Sequence, residues 1–186
     1  MLGKYSEEDG KKLIKLARES IEEEFTGKKP EMPGEKQFRQ ARGVFVTLNK
    51  NNKLRGCIGF PYPTNPVAEA VYLASREAAF SDPRFPPLKE EELKDIEIEI
   101  SILTSPQECN CKEVKIGEDG LMCNYLGYQG LLLPQVATEN KFDRIKFLEC
   151  LCNKAGLPRD TWQNKNFKLW KFQCQIFGEN SERKSL

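Results

Sequence analysis

The segment from Ile96 to Leu103 alternates isoleucine with the polar residues Glu97, Glu99 and Ser101. Because successive side chains of a β-strand point to opposite faces of its sheet, this period of two predicts a strand with one buried and one solvated face. Such a strand is typical of an antiparallel sheet that other elements cover on one side. We therefore expect it inside the main sheet, with its isoleucines in the core.

Three helices are predicted from the residues that begin them. Ser6, with Asp9 three positions later, forms an N-cap signature before apolar residues at helical spacing. Asn65 is expected as the N-cap of a second helix, with Pro66 at its first position. Asp143 is expected to cap a third helix. Helices beside an antiparallel sheet define an α+β fold.

Two hairpins and a last strand complete the predicted elements. Residues 44–60 alternate on both sides of the polar turn at residues 49–52, which indicates a β-hairpin. Residues 113–116 and 121–126 flank a glycine-bounded turn and predict a second, smaller hairpin. The alternation from Trp170 to Ile176 predicts one final strand.

Histidine is absent from the 186 residues. This absence removes Ser-His and Cys-His nucleophile pairs, and also zinc or haem held by histidine. Catalysis would have to use carboxylates, lysine, tyrosine, arginine or thiols. Seven cysteines form an odd set, and the first residues lack the apolar segment of a signal peptide. We expect reduced thiols in a cytoplasmic protein.

The charge balance and hydropathy argue against two classes of partner. Lysine and arginine number 29 against 28 aspartates and glutamates, which leaves a net charge of +1. No global field therefore draws the chain to phosphate backbones, and nucleic acid is not expected as a partner. No run of about 18 apolar residues occurs, so no membrane span is expected.

Two Cys-x-Cys pairs are candidate metal sites. Cys109 and Cys111 share a face if their segment is extended, whereas Cys150 and Cys152 diverge in a predicted helix. Four converging thiolates are not expected, and the spacing of a zinc ribbon is absent. The sequence predicts neither a metal site nor a cofactor, and we expect folding without metal.

The hexapeptide Leu54-Arg55-Gly56-Cys57-Ile58-Gly59 carries the clearest chemical signal. In a strand, Arg55 and Cys57 share a face about 7 Å apart, and an arginine beside a thiol favours the thiolate. The two glycines would let a ligand or another backbone approach closely. In the alternative interpretation they mark a bulge, Cys57 only packs, and Arg55 pairs with a carboxylate. We expect a carboxylate or backbone carbonyls to bind the guanidinium of Arg55, and Asp82 and Glu77 are the nearest candidate carboxylates.

The hexapeptide resembles the hallmark motif of the AMMECR domain family, named for the chromosomal region of Alport syndrome, midface hypoplasia and elliptocytosis. The similarity extends from about residue 43 to residue 177. Further matching segments are Val44 to Leu48, Ala78 to Leu88, Ile98 to Thr104, Leu132 to Ala137, and Lys154 to Pro158.

The resemblance implies one α+β domain over residues 1–186, built as two lobes with a cleft between them. We expect the larger lobe, an antiparallel sheet with flanking helices, at about residues 1–105 and 160–186. The smaller antiparallel lobe is expected at about residues 106–159. The hexapeptide side chains would face the cleft. Relatives occur beside or fused to Memo-like and radical-SAM proteins, which points to a shared pathway.

Two functions are compatible with these residues. The favoured one is a binding module in which the cleft and a stiff proline-rich loop receive a peptide or protein partner. Its candidate contact residues are Leu54, Arg55, Gly56, Cys57, Ile58, Gly59, Asp82, Arg84 and Phe85.

The alternative is an enzyme with an unknown substrate. Cys57 would serve as thiol nucleophile or ligand, Arg55 as anion holder, and Asp82 as proton acceptor in place of histidine. Its weakness is the lack of an evident base.

Overall fold

The computed structural model describes residues 5–179, which divide into two units. Within these residues, one unit is formed by 5–103 and 175–179, and the other is Thr104–Cys174. The helices are α1 (Glu7–Thr26), α2 (Val67–Phe80), α3 (Pro134–Glu139) and α4 (Arg144–Lys154). The strands are β1 (Gly43–Lys50), β2 (Lys53–Phe60), β3 (Ile96–Leu103), β4 (Gln107–Glu108), β5 (Gly120–Tyr125), β6 (Tyr128–Leu132), β7 (Lys168–Phe172) and β8 (Cys174–Gly178).

The first unit is built on a four-stranded sheet in the order β2-β1-β3-β8. The predicted strand of alternating isoleucines is confirmed as β3, which lies between β1 and β8, and all four isoleucines are buried. They pack in one core with the apolar faces of β1, α1 and α2. The second unit has its own sheet, in the order β4-β7-β5-β6, and its own apolar core. The α+β class with two antiparallel sheets is therefore confirmed.

Helix α1 begins as predicted, but helix α2 begins one residue later than expected. Ser6 and Asp9 form a reciprocal capping box in which each side chain accepts a hydrogen bond from the other residue's backbone N–H. At α2, Pro66 is the N-cap instead of the first helical residue, because its ψ of 143° is not helical and it forms a β-bridge with Ala41. Asn65 is therefore not the cap.

The first hairpin is confirmed and contains a β-bulge. Asn51 and Asn52 both have positive φ, at 52° and 59°, as a two-residue hairpin turn requires. The register of β1 against β2 shifts between Leu48, which faces Gly56, and Asn49, which faces Leu54. Arg55 is consequently the extra residue of the bulge.

The predicted second hairpin is wrong in its first strand. Residues 113–116 are not a strand in the structure, and β5 instead pairs with β6, which follows it. The turn between them is Leu126 and Gly127, whose φ angles are 53° and 92°. The segment before β5 forms a local turn, in which the Asp119 carboxylate accepts a hydrogen bond from the Lys115 N–H.

The predicted final strand is two strands in different sheets. The backbone N–H of Gln173 donates to the Thr104 hydroxyl, and the Thr104 N–H donates to the Gln173 carbonyl, which separates β7 from β8. β7 pairs with β4 and β5. Residues 160–174 therefore belong to the second unit, whereas we expected them in the larger lobe.

Asp143 caps α4 as predicted, since its carboxylate accepts a hydrogen bond from the Lys146 N–H. Gly156 follows this helix with a φ of 74°, a conformation that glycine adopts without steric cost. Within residues 5–179, no helix is both long and apolar enough to span a lipid bilayer.

Candidate functional site

The hexapeptide lies on β2, which is an edge strand of the first sheet. Its two glycines permit close packing inside the protein. A Cβ atom at Gly56 would overlap the carbonyl oxygen of Ala78 in helix α2. A Cβ at Gly59 would overlap the ring of Phe45. Both glycines therefore have a structural role, and the backbone that approaches Gly56 is that of α2.

The other apolar residues of the hexapeptide differ in exposure. Ile58 is partly buried and packs against the core of the first unit. Leu54 is exposed, with 42% of its surface accessible. Of the two, only Leu54 offers a large apolar surface to a ligand.

Arg55 is paired with Glu92, so the prediction that Asp82 or Glu77 binds it is wrong. Its Nε donates to Glu92 Oε1 at 3.1 Å and its Nη2 donates to Oε2 at 2.9 Å. Lys50 Nζ donates to the same Oε1 at 3.1 Å. The side chains of Arg55 and Glu92 are only 11% and 15% exposed. Asp82 is not available to Arg55, since it binds other groups described below.

The electrostatics of this pair favour a charged carboxylate. The hydrogen bond from Arg55, together with the Lys89 N–H and the Lys50 ammonium, outweighs burial and lowers the pKa of Glu92 to about 2. Because the guanidinium fork is bidentate and shielded from solvent, Arg55 is held as part of the structure. It is not positioned as a free anion holder.

Asp82 and Arg84 together hold the backbone of Cys57. The Cys57 N–H donates to Asp82 Oδ2 at 2.9 Å, and the Cys57 carbonyl accepts from Arg84 Nη2 at 3.0 Å. Arg84 also donates to both carboxylate oxygens of Asp82, from Nε at 2.9 Å and from Nη2 at 2.7 Å. The two side chains thus make the hydrogen bonds that a neighbouring strand would make at this edge position.

This arrangement makes Asp82 a poor proton acceptor. Hydrogen bonds from the Arg84 side chain, the Cys57 N–H and the Arg84 N–H hold the pKa of the Asp82 carboxyl well below its ordinary value, despite burial. The Asp82 side chain is only 2% exposed. A carboxylate so strongly stabilised in its charged form has little tendency to take a proton from a thiol near neutral pH.

The Phe85 ring is close to two guanidinium groups. Arg84 Cζ is 5.5 Å from the centre of the Phe85 ring, and Arg55 Cζ is 6.0 Å from it. Both distances are within the range of cation–π attraction. The Arg84 side chain remains 52% exposed even though Asp82, Cys57 and Phe85 all contact it. An arginine that is both ordered and accessible is thereby presented at the edge of the sheet.

Sequence reasoning missed Thr47 and Glu92. Thr47 faces Cys57 across β1 and β2, and its hydroxyl lies 3.3 Å from the Cys57 thiol. The hairpin register could have identified Thr47, because the two residues are directly opposite each other. No local signal distinguishes Glu92 from the adjacent Glu90 and Glu91.

Comparisons with known proteins show the family of this chain. The family model AMMECR1 matches residues 14–177. The chain belongs to the AMMECR1 family. A relative from Methanothermobacter thermautotrophicus is 45% identical over 185 residues, covering 94% of this chain and 96% of its own length. Protein PYRAB00100 from Pyrococcus abyssi is 43% identical, with coverage of 98% and 96%.

A solved structure supports both the family and the fold. The crystal structure of uncharacterized protein PH0010 from Pyrococcus horikoshii has a TM-score of 0.85 to this chain at 42% identity. The similarity covers 92% of this chain and 91% of that one. The expected resemblance to the AMMECR family is therefore confirmed.

Four cysteines in the second unit of this AMMECR1-family chain, Cys109, Cys111, Cys123 and Cys152, have a thiol pKa that burial raises above its ordinary value. Burial raises the pKa of Cys109 and that of Cys123 to about 11. Cys111 lies in a short 3-10 turn, so the Cys109-Asn110-Cys111 segment is not the extended pair that would share a face. Among the described residues, no group of three or more cysteine, aspartate or glutamate side chains is arranged to hold a metal ion.

The first prediction concerns the pairing of Arg55. We expect Arg55→Lys to lower the free energy of unfolding by about 1–2 kcal/mol, because an ammonium cannot reproduce the bidentate bond to Glu92. Thermal melting of the purified protein measures this loss. Arg39→Lys is the matched control, since Arg39 is exposed and its conservative change should leave the melting temperature near that of wild type. An unchanged melting temperature for Arg55→Lys would contradict the structural role of Arg55.

The second prediction concerns the stability at low pH. The folded pKa of Glu92, about 2, lies below its ordinary 4.5. The pair with Arg55 therefore stabilises the fold above pH 4.5, and this contribution is lost as the pH falls toward 2. We expect Glu92→Gln to be less stable than wild type at neutral pH by up to about 3 kcal/mol. This difference in the free energy of unfolding, measured by urea titration, should shrink as the pH falls from 4.5 toward 2.

The neighbouring Glu91→Gln variant controls for net charge, because the Glu91 side chain is 78% exposed. Its stability should stay within about 0.5 kcal/mol of wild type. A deficit of Glu92→Gln that stays constant down to the lowest pH would show that packing, and not the charge of Glu92, is lost.

Proposed function

We propose that this AMMECR1-family protein is a binding module that receives a peptide or protein partner on the surface formed by Arg84 and Phe85. The observation that carries the proposal is the state of Arg84. Its guanidinium is fixed by hydrogen bonds to Asp82 and Cys57 and by contact with Phe85, yet half of its side chain is accessible. Arginine and aromatic side chains of this kind dominate the energetics of protein interfaces.

The loop that carries Arg84 and Phe85 is ordered before any partner binds. Three prolines, at positions 83, 86 and 87, fix backbone φ angles in it. The Phe85 N–H donates to the Asp82 carbonyl, and the Leu88 N–H donates to the Ala79 carbonyl. A loop that is already rigid loses little conformational entropy on binding, so more of the contact energy appears as affinity.

The hydrogen bonds that Arg55 and Asp82 already make within the protein also favour binding over catalysis. The enzyme hypothesis required Arg55 as anion holder and Asp82 as proton acceptor. Arg55 is instead paired with Glu92 through Nε and Nη2 in a largely buried contact, and Asp82 is held as a stable anion by Arg84 and Cys57. The side chains of this site that remain accessible, Arg84 and in part Phe85, are suited to contact with a partner.

A peptide-display selection tests the proposal directly. We expect a random peptide library to yield ligands whose binding is lost in both Arg84→Gln and Phe85→Ala, because these changes remove the two anchors. Arg39→Gln is the matched control, since it removes the same charge from an exposed position. Binding is measured by fluorescence polarisation, and melting curves establish that each variant is folded.

The proposal fails if no ligand is enriched, or if every enriched ligand binds wild type, Arg84→Gln and Phe85→Ala equally well. Memo-like and radical-SAM proteins, which the family resemblance links to the same pathway, are the full-length probes to assay with the same three variants. A partner in a reducing, cytoplasmic compartment is consistent with the seven free cysteines.

Thiol chemistry at Cys57 is the second candidate, and it rests on the contact with Thr47. A hydroxyl 3.3 Å from the sulfur can donate a hydrogen bond to a thiolate. Cys57 is also partly accessible, whereas Cys123 and Cys152 are buried.

Iodoacetamide labelling across pH, read by mass spectrometry for each cysteine, separates this candidate from a packed thiol. If Cys57 is activated, it should be labelled selectively below about pH 7, and Thr47→Val should remove that selectivity while Thr47→Ser retains it. Labelling of Cys57 at the same pH as the other accessible thiols would count against thiol chemistry.

A further inference from the structure

The edge of β2 has two neighbouring positions that face away from β1. In an antiparallel pair, every second residue directs its N–H and C=O outward, away from its partner strand. Cys57 is such a residue, because its backbone N–H and C=O bind the side chains of Asp82 and Arg84 instead of the backbone of β1. Gly59, two residues further along the same uninterrupted register, directs its N–H and C=O outward as well.

The two outward positions differ in what fills them. At Cys57, Asp82 Oδ2 stands where the carbonyl of an added strand would be, and Arg84 Nη2 stands where its N–H would be. At Gly59, no hydrogen bond to the outward N–H or C=O forms among the residues that the structure describes. A strand added to β2 can therefore pair at Gly59 but cannot continue past Cys57.

The block at Cys57 determines which end of the added strand lies next to Arg84. Arg84 uses Nε and Nη2 for Asp82 and Cys57, whereas its Nη1 makes no hydrogen bond within residues 5–179. A half-exposed guanidinium with free N–H groups is suited to a carboxylate. The group that both ends a peptide chain and carries a negative charge is its C-terminal carboxylate.

We propose that this surface recognises the free C-terminus of an extended peptide, which pairs with β2 at Gly59 and places its terminal carboxylate on Arg84 Nη1. The proposal deepens the proposed function and rests on it. A chain that passes Gly59 before it ends at Cys57 runs opposite to β2, so the added strand is antiparallel. The pairing residue is one of the last two of the ligand, since Cys57 and Gly59 are about 7 Å apart along the strand.

Synthetic peptides with free and amidated C-termini test the carboxylate. The peptides come from a random library displayed with a free C-terminus and selected on wild-type protein. We expect the free acid to bind roughly tenfold or more tightly than the amide of the same sequence, because a charge-assisted bond to Arg84 is lost in the amide. Arg84→Lys should reduce this ratio, and Arg39→Gln should leave it unchanged.

N-methylated peptides test the pairing with β2. Methylation of the one backbone nitrogen that donates to the Gly59 carbonyl should weaken binding roughly tenfold, whereas methylation at the next nitrogen should have little effect. This alternation is the mark of strand addition and needs no protein variant, so it remains informative if Arg84→Lys is poorly folded.

The outcomes separate this inference from the proposed function. If acid and amide bind equally while binding still depends on Arg84 and Phe85, recognition of the C-terminus is overturned and the binding module stands. Equal effects of methylation at neighbouring nitrogens would overturn the strand pairing. If no peptide binding depends on Arg84 or Phe85, both proposals fail.

Discussion

The buried carboxylate of Asp82 joins the proline-rich loop to the edge of the main sheet. It accepts hydrogen bonds from the Cys57 backbone and from Arg84, and Arg84 in turn binds the Cys57 carbonyl. Removing the carboxylate would leave the partly buried Cys57 N–H without its acceptor and the Arg84 guanidinium with only the Cys57 carbonyl. This one carboxylate fixes the position of the loop and of the Arg84 side chain. Together with Arg84 it also covers the strand edge at Cys57.

Features that depend on nearby residues could be predicted from the sequence. The capping of α1 by Ser6 and Asp9 and the capping of α4 by Asp143 involve residues three positions apart. The alternation in β3 needs only the period of a strand, and it correctly placed the isoleucines in the core. The resemblance carried by the hexapeptide and its flanking segments correctly identified the family, although it did not say what each residue contacts.

Features that depend on distant residues could not be predicted. Arg55 and Glu92 are 37 residues apart, and three consecutive glutamates offered equivalent partners. The alternation from Trp170 to Ile176 contains no break, yet Gln173 is diverted to Thr104, which is 69 residues away. Asp82 likewise binds a distant residue, since Cys57 is 25 residues away in the chain. An aspartate near a thiol is a candidate base by composition, but its hydrogen bonds to Arg84 and Cys57 make it a structural anion.

The packing around Gly59 excludes a side chain from two directions. The ring of Phe45 and the carbonyl oxygen of Val44 both occupy the space that a Cβ atom at position 59 would need. A smaller residue at position 45 would remove the first obstacle, but the second belongs to the backbone of β1 and is present whatever residue stands at position 45. Position 59 should therefore stay glycine in evolution even where position 45 has lost its ring, because the cost of a larger residue there cannot be compensated by its neighbour alone.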